Sequence, residues 1–318
     1  MLDVVTMGET MIQMTPTQTG LLRHAHAFER YVGGAESNVA IGLARLGHEV
    51  GWISRVGADE FGACVQSTIR GEGVDTTQVI RDEEAPTGVY FKERRRADHT
   101  RVYYYRDGSA ASRLGPADLD PDYVDQADYL HLTGITPALS ERCREATWEA
   151  LRIADERDVA VSFDPNVRRK LWSEEEARST LREMLPHVQI VLTGEGEATL
   201  LTGEADPEAA ARALRELGPS QVVVRLGADG ALGLGPDGVE RRAAIEVEPV
   251  DVVGAGDAFT AGYLSGQLRG ESVGRSLQIG NVAGGLATTV RGDCEGLPTR
   301  EEIEAYLNVS SDASDVDR

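Results

Sequence analysis

Short apolar segments alternate along this chain with stretches of helical periodicity, and this alternation restricts the fold more than any other feature. Buried strands are indicated at 159–163, 189–192 and 222–224, with helix-like stretches at 141–156 and 207–217. Strands that are apolar throughout are typical of parallel sheets whose two faces are both covered by helices. The sequence therefore predicts an α/β fold with a mostly parallel central sheet, in three α/β/α layers.

A run of small residues followed by an acid, Gly254-Ala255-Gly256-Asp257, precedes a helix-like stretch in the last quarter of the chain. Small residues let several backbone N–H groups converge on an anion, and a helix N-terminus favours phosphate. Asp257 falls in the first helical turn, where it can accept the proton of a hydroxyl that attacks a bound phosphoryl group. Taken alone, the run also fits a plain strand-to-helix turn with an acid near the N-cap.

Two further glycine motifs lie in the first quarter of the chain, at 31–40 and 55–62. In the first, Gly33-Gly34 allows close approach of backbone to a ligand, and Asn38 offers a donor and an acceptor to a polyol. The three motifs, in this order and spacing, closely resemble the PfkB (ribokinase-like) carbohydrate kinase family. The resemblance implies one ribokinase-like domain over residues 1–307, and the acidic tail at 308–318 is expected to be disordered.

One section interrupts the alternation of strands and helices. Residues 87–106 are rich in β-formers and contain a short polar turn, Ala97-Asp98-His99, which predicts a hairpin projecting from the main sheet. In the family that this chain resembles, such strands form a small lid over the sugar. The resemblance therefore implies a lid built from 11–32 and 87–106.

Aromatic and basic residues on the second hairpin strand suggest a ligand-binding face. Alternation along a strand places Tyr104 and Arg106 on one face, with Tyr103 and Tyr105 on the other. The second face could join subunits, so a homo-oligomer through the lid is a further expectation. Arg168 follows a predicted strand, and a guanidinium can form paired hydrogen bonds with a carboxylate or phosphate, which a neutral sugar does not require. Ordinary surface charge is the alternative for both arginines.

Within the family, these features are most similar to kinases of 2-keto-3-deoxygluconate. The resemblance implies ATP-dependent phosphorylation of this sugar acid at its C6 hydroxyl, giving 2-keto-3-deoxy-6-phosphogluconate. Asp257 would be the base and the amides of Gly254, Ala255 and Gly256 the anion hole. The family's substrate contacts fall here on Gly34, Asn38, Tyr90, Tyr104, Arg106, Ile135, Arg168, Asp257 and Asp293. The galactonate epimer stays open as a substrate, because one inverted hydroxyl depends on lid geometry.

The resemblance also implies an ATP site and metal ions. Its ATP contacts fall here on Asn166, Arg168, Arg225, Leu226, Gly227, Ala228, Asp229, Gly230, Ala231, Gly254, Ala255, Gly256, Asp257 and Asn281. Glu197 would act on Mg²⁺ through water, although Gly194 stands where many members of the family have an asparagine. Asp251 and the Val253 carbonyl match ligands of a monovalent cation such as K⁺, although Val253 lacks the common hydroxyl.

The charge balance limits the partners. The chain has 53 acidic and 32 basic residues, a net charge of -21, and only two lysines, Lys92 and Lys170. So negative a chain is not expected to bind nucleic acid or an anionic membrane. Strong acidity with almost no lysine favours a protein adapted to concentrated salt, from a halophilic archaeon, since salt screens the self-repulsion.

Cysteine usage indicates the compartment. Cys64, Cys143 and Cys294 are odd in number and show no C-x-x-C spacing, so they are expected to be reduced thiols of a cytoplasmic protein. No membrane span or secretory signal is predicted.

Three alternatives to a sugar-acid kinase are left by the sequence. The nearest is a kinase of the same family for a neutral sugar such as fructose or ribose. A dinucleotide-binding oxidoreductase fits less well, because Phe259 occupies the third glycine position of G-x-G-x-x-G. A catalytically silent sugar-binding regulator on the same scaffold would be distinguished by an assay of ATP consumption.

Overall fold

The computed structural model describes residues 1–96 and 99–315, and within them the strands form two sheets. The strands are β1 Leu2–Met7, β2 Met11–Pro16, β3 Phe28–Gly33, β4 Val50–Gly57, β5 Val79–Asp82, β6 Val89–Arg96, β7 His99–Tyr105, β8 Ala127–Thr133, β9 Ala160–Asp164, β10 Ile190–Gly194, β11 Gln221–Arg225, β12 Ala231–Gly235 and β13 Gly238–Arg242. The α-helices are α1 Ala35–Arg45, α2 Glu60–Gly71, α3 Pro121–Val124, α4 Thr136–Leu139, α5 Glu141–Arg157, α6 Glu174–Met184, α7 Glu195–Thr202, α8 Pro207–Arg215, α9 Ala255–Leu268, α10 Val273–Ala287 and α11 Arg300–Asp315.

The large sheet has the strand order β13-β12-β11-β10-β9-β8-β1-β4-β5. Its strands from β11 to β5 pair in parallel, and β12 and β13 add an antiparallel edge. Both faces are buried: Val222 and Val224 pack in one hydrophobic cluster with helix α5, whereas Val223 packs in the opposite cluster with α9. The predicted three-layer α/β fold is therefore confirmed.

The small sheet has the order β3-β2-β6-β7 and contains both segments predicted to form a lid. Strands β6 and β7 pair antiparallel, with Tyr90 opposite Tyr104. The predicted turn includes Ala97 and Asp98, which lie outside the described residues. Tyr104 and Arg106 face a cleft beside the large sheet, while Tyr103 and Tyr105 lie with Phe91 on the opposite face, as the alternation predicts.

Helix α11 extends beyond the boundary predicted for the domain. Ile303 and Leu307 on this helix are buried in a cluster with Ile279 and Val282 of α10. The helix ends at Asp315, and the disorder expected of the tail at 308–318 stays a prediction. Among the described residues, no helix combines the length and apolar character that crossing a bilayer requires.

Candidate active site

The predicted motifs meet at a cleft of about 350 Å³ between the small sheet and the carboxyl ends of the large sheet's strands. This is the position where open α/β sheets bind ligands. The predicted residues that line it are Gly34, Asn38, Tyr90, Tyr104, Arg106, Ile135, Asn166, Arg168, Arg225, Val253, Gly254, Gly256, Asp257 and Asp293. The lining also includes residues that were not predicted as site residues, among them Glu9, Lys92 and Asp164.

The Gly254–Gly256 segment, here called the glycine turn, opens helix α9 at the floor of the cleft. Gly254 is the N-cap and has φ +79°, a left-handed conformation that favours glycine. A Cβ at this position would lie 2.3 Å from the carbonyl oxygen of Asp293, so a side chain is excluded by space as well. The N-terminal N–H groups of a 14-residue helix therefore face a position suited to an anion.

Asp257 lies in the first turn of α9, next to the glycine turn. Its carboxyl is largely enclosed by protein, and this burial raises its pKa to about 7. The nearby Asp164 carboxylate also raises the pKa, whereas Asn38, Arg168 and Arg225 lower it. A carboxyl with a pKa near neutrality is suited to accept a proton from a hydroxyl.

Asn38 contacts the predicted base directly. Its amide Nδ2 donates to Asp257 Oδ2 at 2.8 Å, from a position one turn into helix α1. Its Oδ1 is buried and has no hydrogen-bond partner among the described residues. Asn38 was predicted as a polyol contact, and the structure gives its amide nitrogen the additional task of orienting Asp257.

Arg225 is held by Asp164 and does not extend freely toward a nucleotide. Its guanidinium donates two hydrogen bonds to the Asp164 carboxylate, at 2.8 and 3.1 Å. It also donates to the Gly256 carbonyl oxygen at 3.2 Å. The ion pair thus ties the end of β11 to the end of β9 and to the glycine turn. Asp164, at the end of β9, was not among the predicted site residues.

Arg106 is paired with a carboxylate of the protein itself. Its Nε donates to Glu9 Oε2 at 2.7 Å, and Ser109 donates to Glu9 Oε1 at 2.6 Å. Both Arg106 and Glu9 are buried, at 9% and 3% exposure. Arg106 still lines the cleft, but its charge is already balanced, which weakens its predicted role as a reader of a substrate carboxylate.

Arg168, unlike Arg106, has a guanidinium that is not paired with a carboxylate of the described residues. Its side chain is exposed at the cleft, on the segment after β9. Within residues 1–96 and 99–315, its guanidinium forms neither an ion pair nor a hydrogen bond, and only its backbone carbonyl accepts one, from the Leu171 N–H. Its neighbour Lys170 is engaged, since its Nζ donates to the Val102 carbonyl oxygen at 2.7 Å and lies 5.5 Å from the centre of the Tyr104 ring.

A second buried ion pair lies beside the glycine turn. Lys92 Nζ donates to Asp293 Oδ1 at 2.7 Å, and the hydroxyl of Tyr90 donates to Asp293 Oδ2 at 2.6 Å. Lys92 Nζ also lies 3.9 Å from Asp251 Oδ2. Lys92 was noted in the sequence only for the rarity of lysine, and no local motif indicated its position.

The neighbourhood of Asp251 does not fit the predicted monovalent cation. An ion on the Asp251 carboxylate would lie close to the Lys92 ammonium, and two unit charges 4 Å apart repel by about 4 kcal/mol at an effective dielectric constant of 20. The other carboxylate oxygen, Oδ1, already accepts a hydrogen bond from the Val253 N–H at 3.3 Å. Asp251 and Val253 thus match the family's cation ligands in sequence, but the nearby Lys92 ammonium disfavours a second cation at this position.

Glu197 occupies a position compatible with magnesium. It accepts hydrogen bonds from the N–H groups of Gly194, at 3.1 Å, and of Val167, at 2.8 Å. Burial, together with Asp164, raises its pKa. In the described part of the chain no group of three or more His, Cys, Asp or Glu could hold a metal alone. Mg²⁺ usually binds through one or two carboxylates plus waters and phosphates, which Asp164 and Glu197 could provide.

The predicted ATP contacts at Leu226 to Ala231, and Asn281, which the resemblance places at the adenine, lie outside the cleft lining. Leu226 to Gly230 form the tight turn between β11 and β12, where Gly227 and Gly230 have φ of +60° and +96°, and Ala231 begins β12. Asn281 on α10 donates to the carbonyl oxygens of Arg242 and Ala243, at 2.9 and 3.0 Å. Its amide nitrogen therefore fixes the segment after β13, and the contact with adenine remains a prediction.

Comparisons with known proteins identify the family and its fold. Residues 1–300 match the family described as pfkB family carbohydrate kinase. The chain is 39% identical to a 2-dehydro-3-deoxygluconokinase of Bacillus subtilis and 37% identical to a 2-dehydro-3-deoxygalactonokinase of Haloferax volcanii, each match covering 96% of both proteins. A crystal structure of a putative ribokinase II from E. coli in complex with ATP and Mg²⁺ superposes with a TM-score of 0.91 at 27% identity, covering 97% of this chain and all of that one.

Proposed function

This chain belongs to the pfkB family of carbohydrate kinases, and we propose that it phosphorylates 2-keto-3-deoxygluconate (2-dehydro-3-deoxygluconate) at the C6 hydroxyl with ATP. The observation that carries the proposal is Arg168, an exposed guanidinium without a hydrogen-bond or ion-pair partner among the described residues, in the same cleft as Asp257. A carboxylate substrate would supply the direct hydrogen-bond partner that no described residue gives this guanidinium.

Proton transfer in this proposal falls to Asp257. The C6 hydroxyl lies against its carboxylate and loses its proton as the oxygen attacks the γ-phosphorus. Asn38 holds one carboxylate oxygen of Asp257 at 2.8 Å, which leaves the other oxygen to accept the proton. Because the transition state of phosphoryl transfer is loose, little basicity is needed early in the reaction.

Charge on the transferring phosphoryl group is neutralised at the helix N-terminus. The N–H groups of the glycine turn face it, and Arg225 fixes that turn through the Gly256 carbonyl oxygen. Mg²⁺ bound with ATP would neutralise further phosphate charge, with Asp164 and Glu197 as the nearby carboxylates. The small sheet, acting as a lid with Tyr90 and Tyr104, would cover the sugar and exclude water as a competing acceptor.

The pH dependence follows from the raised pKa of Asp257. The base acts only when it is deprotonated, so kcat/KM is expected to fall as the pH drops through about 7, approaching tenfold per pH unit at lower pH. Initial rates of ADP formation between pH 5 and 9, in a buffer of constant ionic strength, measure this. Circular dichroism at each pH serves as the control for folding. A rate that stays constant down to pH 5 in folded enzyme would contradict Asp257 as a base with this pKa.

A substrate panel tests the proposal itself. ADP release is measured with Mg-ATP in concentrated KCl for 2-keto-3-deoxygluconate, its galactonate epimer, fructose, ribose and adenosine. Two charge-assisted hydrogen bonds to a carboxylate correspond to a preference for sugar acids of about 10²–10⁴ in kcat/KM. Comparable turnover of both epimers would extend the proposal to the galactonate. Preference for fructose or ribose would favour the neutral-sugar alternative and contradict the carboxylate role of Arg168.

A further inference from the structure

Lys92 carries a buried ammonium from the small sheet to the loops around the glycine turn. The side chain is 4% exposed, and its Nζ lies 2.7 Å from Asp293 Oδ1 and 3.9 Å from Asp251 Oδ2. Asp251 precedes Gly254 by three residues, and the Asp293 carbonyl oxygen lies against Gly254 from the other side. One ammonium therefore faces both loops that position the glycine turn.

The two loops are also joined through their backbones. The N–H groups of Val250 and Asp251 both donate to the Thr288 carbonyl oxygen, at 2.8 and 3.0 Å. The carboxylates of Asp251 and Asp293 both lie near Lys92 Nζ, at 3.9 and 2.7 Å, and like charges this close to one another repel. A cation placed between them offsets this repulsion.

The residue type at this position is informative. The chain contains two lysines among its 32 basic residues. A guanidinium is planar and broad, whereas an ammonium is a compact point charge with three donors, and is the side-chain group closest to a small monovalent cation. Lys92 is buried between two acids, so its ammonium can take the place of a small monovalent cation there.

We propose that the Lys92 ammonium supplies the cation that fixes the glycine turn, so that the kinase works without a bound potassium ion. Lys92 is a positioning residue in this role, since it acts on the phosphate site through Asp251 and Asp293. Because it belongs to β6, the cation is delivered by the small sheet and reaches the glycine turn when that sheet covers the cleft. The proposal rests on the proposed function only for its turnover readout.

The test compares cations of different size at equal ionic strength. Wild-type kcat/KM is expected to agree within about twofold in KCl, NaCl and choline chloride. Lys92→Ala is expected to lose about 10–100-fold in choline chloride, since a misplaced phosphate site has costs of that order. Potassium and ethylammonium are each small enough for the vacated space. Either should raise kcat/KM of Lys92→Ala by at least about tenfold over its value in choline chloride.

Thermal unfolding provides a readout that needs no substrate. Lys92→Ala should unfold at a higher temperature in KCl than in choline chloride, by a larger margin than the wild type does. Lys170→Ala is the matched control, because it removes the other lysine without touching Asp251 or Asp293, and its margin should equal that of the wild type.

Three results would overturn the proposal. The first is a wild-type enzyme that loses activity in choline chloride while its unfolding temperature is unchanged. The second is Lys92→Ala with wild-type activity in choline chloride, and the third is a loss that neither potassium nor ethylammonium restores. If no sugar acid is turned over, the proposed function fails, and the unfolding measurements still decide the role of Lys92.

Discussion

Replacing Asp257 with asparagine is expected to lower kcat by about 10²–10⁴-fold while the protein stays folded. The substitution conserves the shape of the side chain but removes the group that accepts the C6 hydroxyl proton. The amide that replaces the carboxylate can still form a hydrogen bond with Asn38, since either amide can turn its oxygen toward the other's nitrogen. The glycine turn and the ion pair of Arg225 are not altered, so binding of ATP should change little.

Stability should move in the opposite direction to activity. Burial raises the pKa of Asp257 to about 7, so its stabilising contribution is complete at low pH and is lost as the pH rises through about 7. At pH 8 the wild type holds a buried charge that Asp257→Asn lacks, and the variant should therefore unfold at the same or a higher temperature. Asp237→Asn, at an exposed turn between β12 and β13, is the control for loss of one negative charge. Activity of Asp257→Asn above half that of the wild type would contradict the role of base.

The fold followed from the sequence because the hydrophobic pattern directly reflects burial. In β11, three successive valines can be buried only if both faces of the strand are covered, and the structure places Val223 on one face and Val222 and Val224 on the other. Helix α11 docks on α10 through the apolar pair Ile303 and Leu307, both inside the predicted domain, and the disorder that acidic composition predicts for 308–318 stays a prediction.

The position of the site was predictable, but the pairing of its charges was not. Arg106 and Glu9 are 97 residues apart in sequence, and Lys92 and Asp293 are 201 apart. A local sequence pattern does not distinguish an arginine that is free to bind a substrate from one that is already paired within the protein. The partner depends on which strand ends lie side by side in the folded sheet. The glycine turn was predictable because its constraint is local: Gly254 has a backbone conformation that favours glycine and leaves no space for a Cβ.

This distinction between paired and unpaired arginines gives the second large effect. Arg168→Ala is expected to reduce kcat/KM for 2-keto-3-deoxygluconate by about 10²–10⁴-fold, the equivalent of the two charge-assisted hydrogen bonds that the guanidinium would form. The loss should appear mainly as a higher KM for the sugar acid. Arg168→Lys should recover only part of it, because an ammonium keeps the charge but cannot form the paired hydrogen bonds of a guanidinium.

The adjacent arginine provides a matched control. Arg169 is also exposed, but it pairs with Glu174 at 2.8 Å and does not line the cleft, so Arg169→Ala should retain wild-type kinetics. A second measurement separates the two tasks that Arg168 could have. If it reads the substrate carboxylate, the KM for ATP and the slow turnover of fructose stay unchanged in Arg168→Ala. If it instead contacts the transferring phosphoryl group, kcat falls for every acceptor in the same proportion, and the carboxylate would have to be read elsewhere in the cleft.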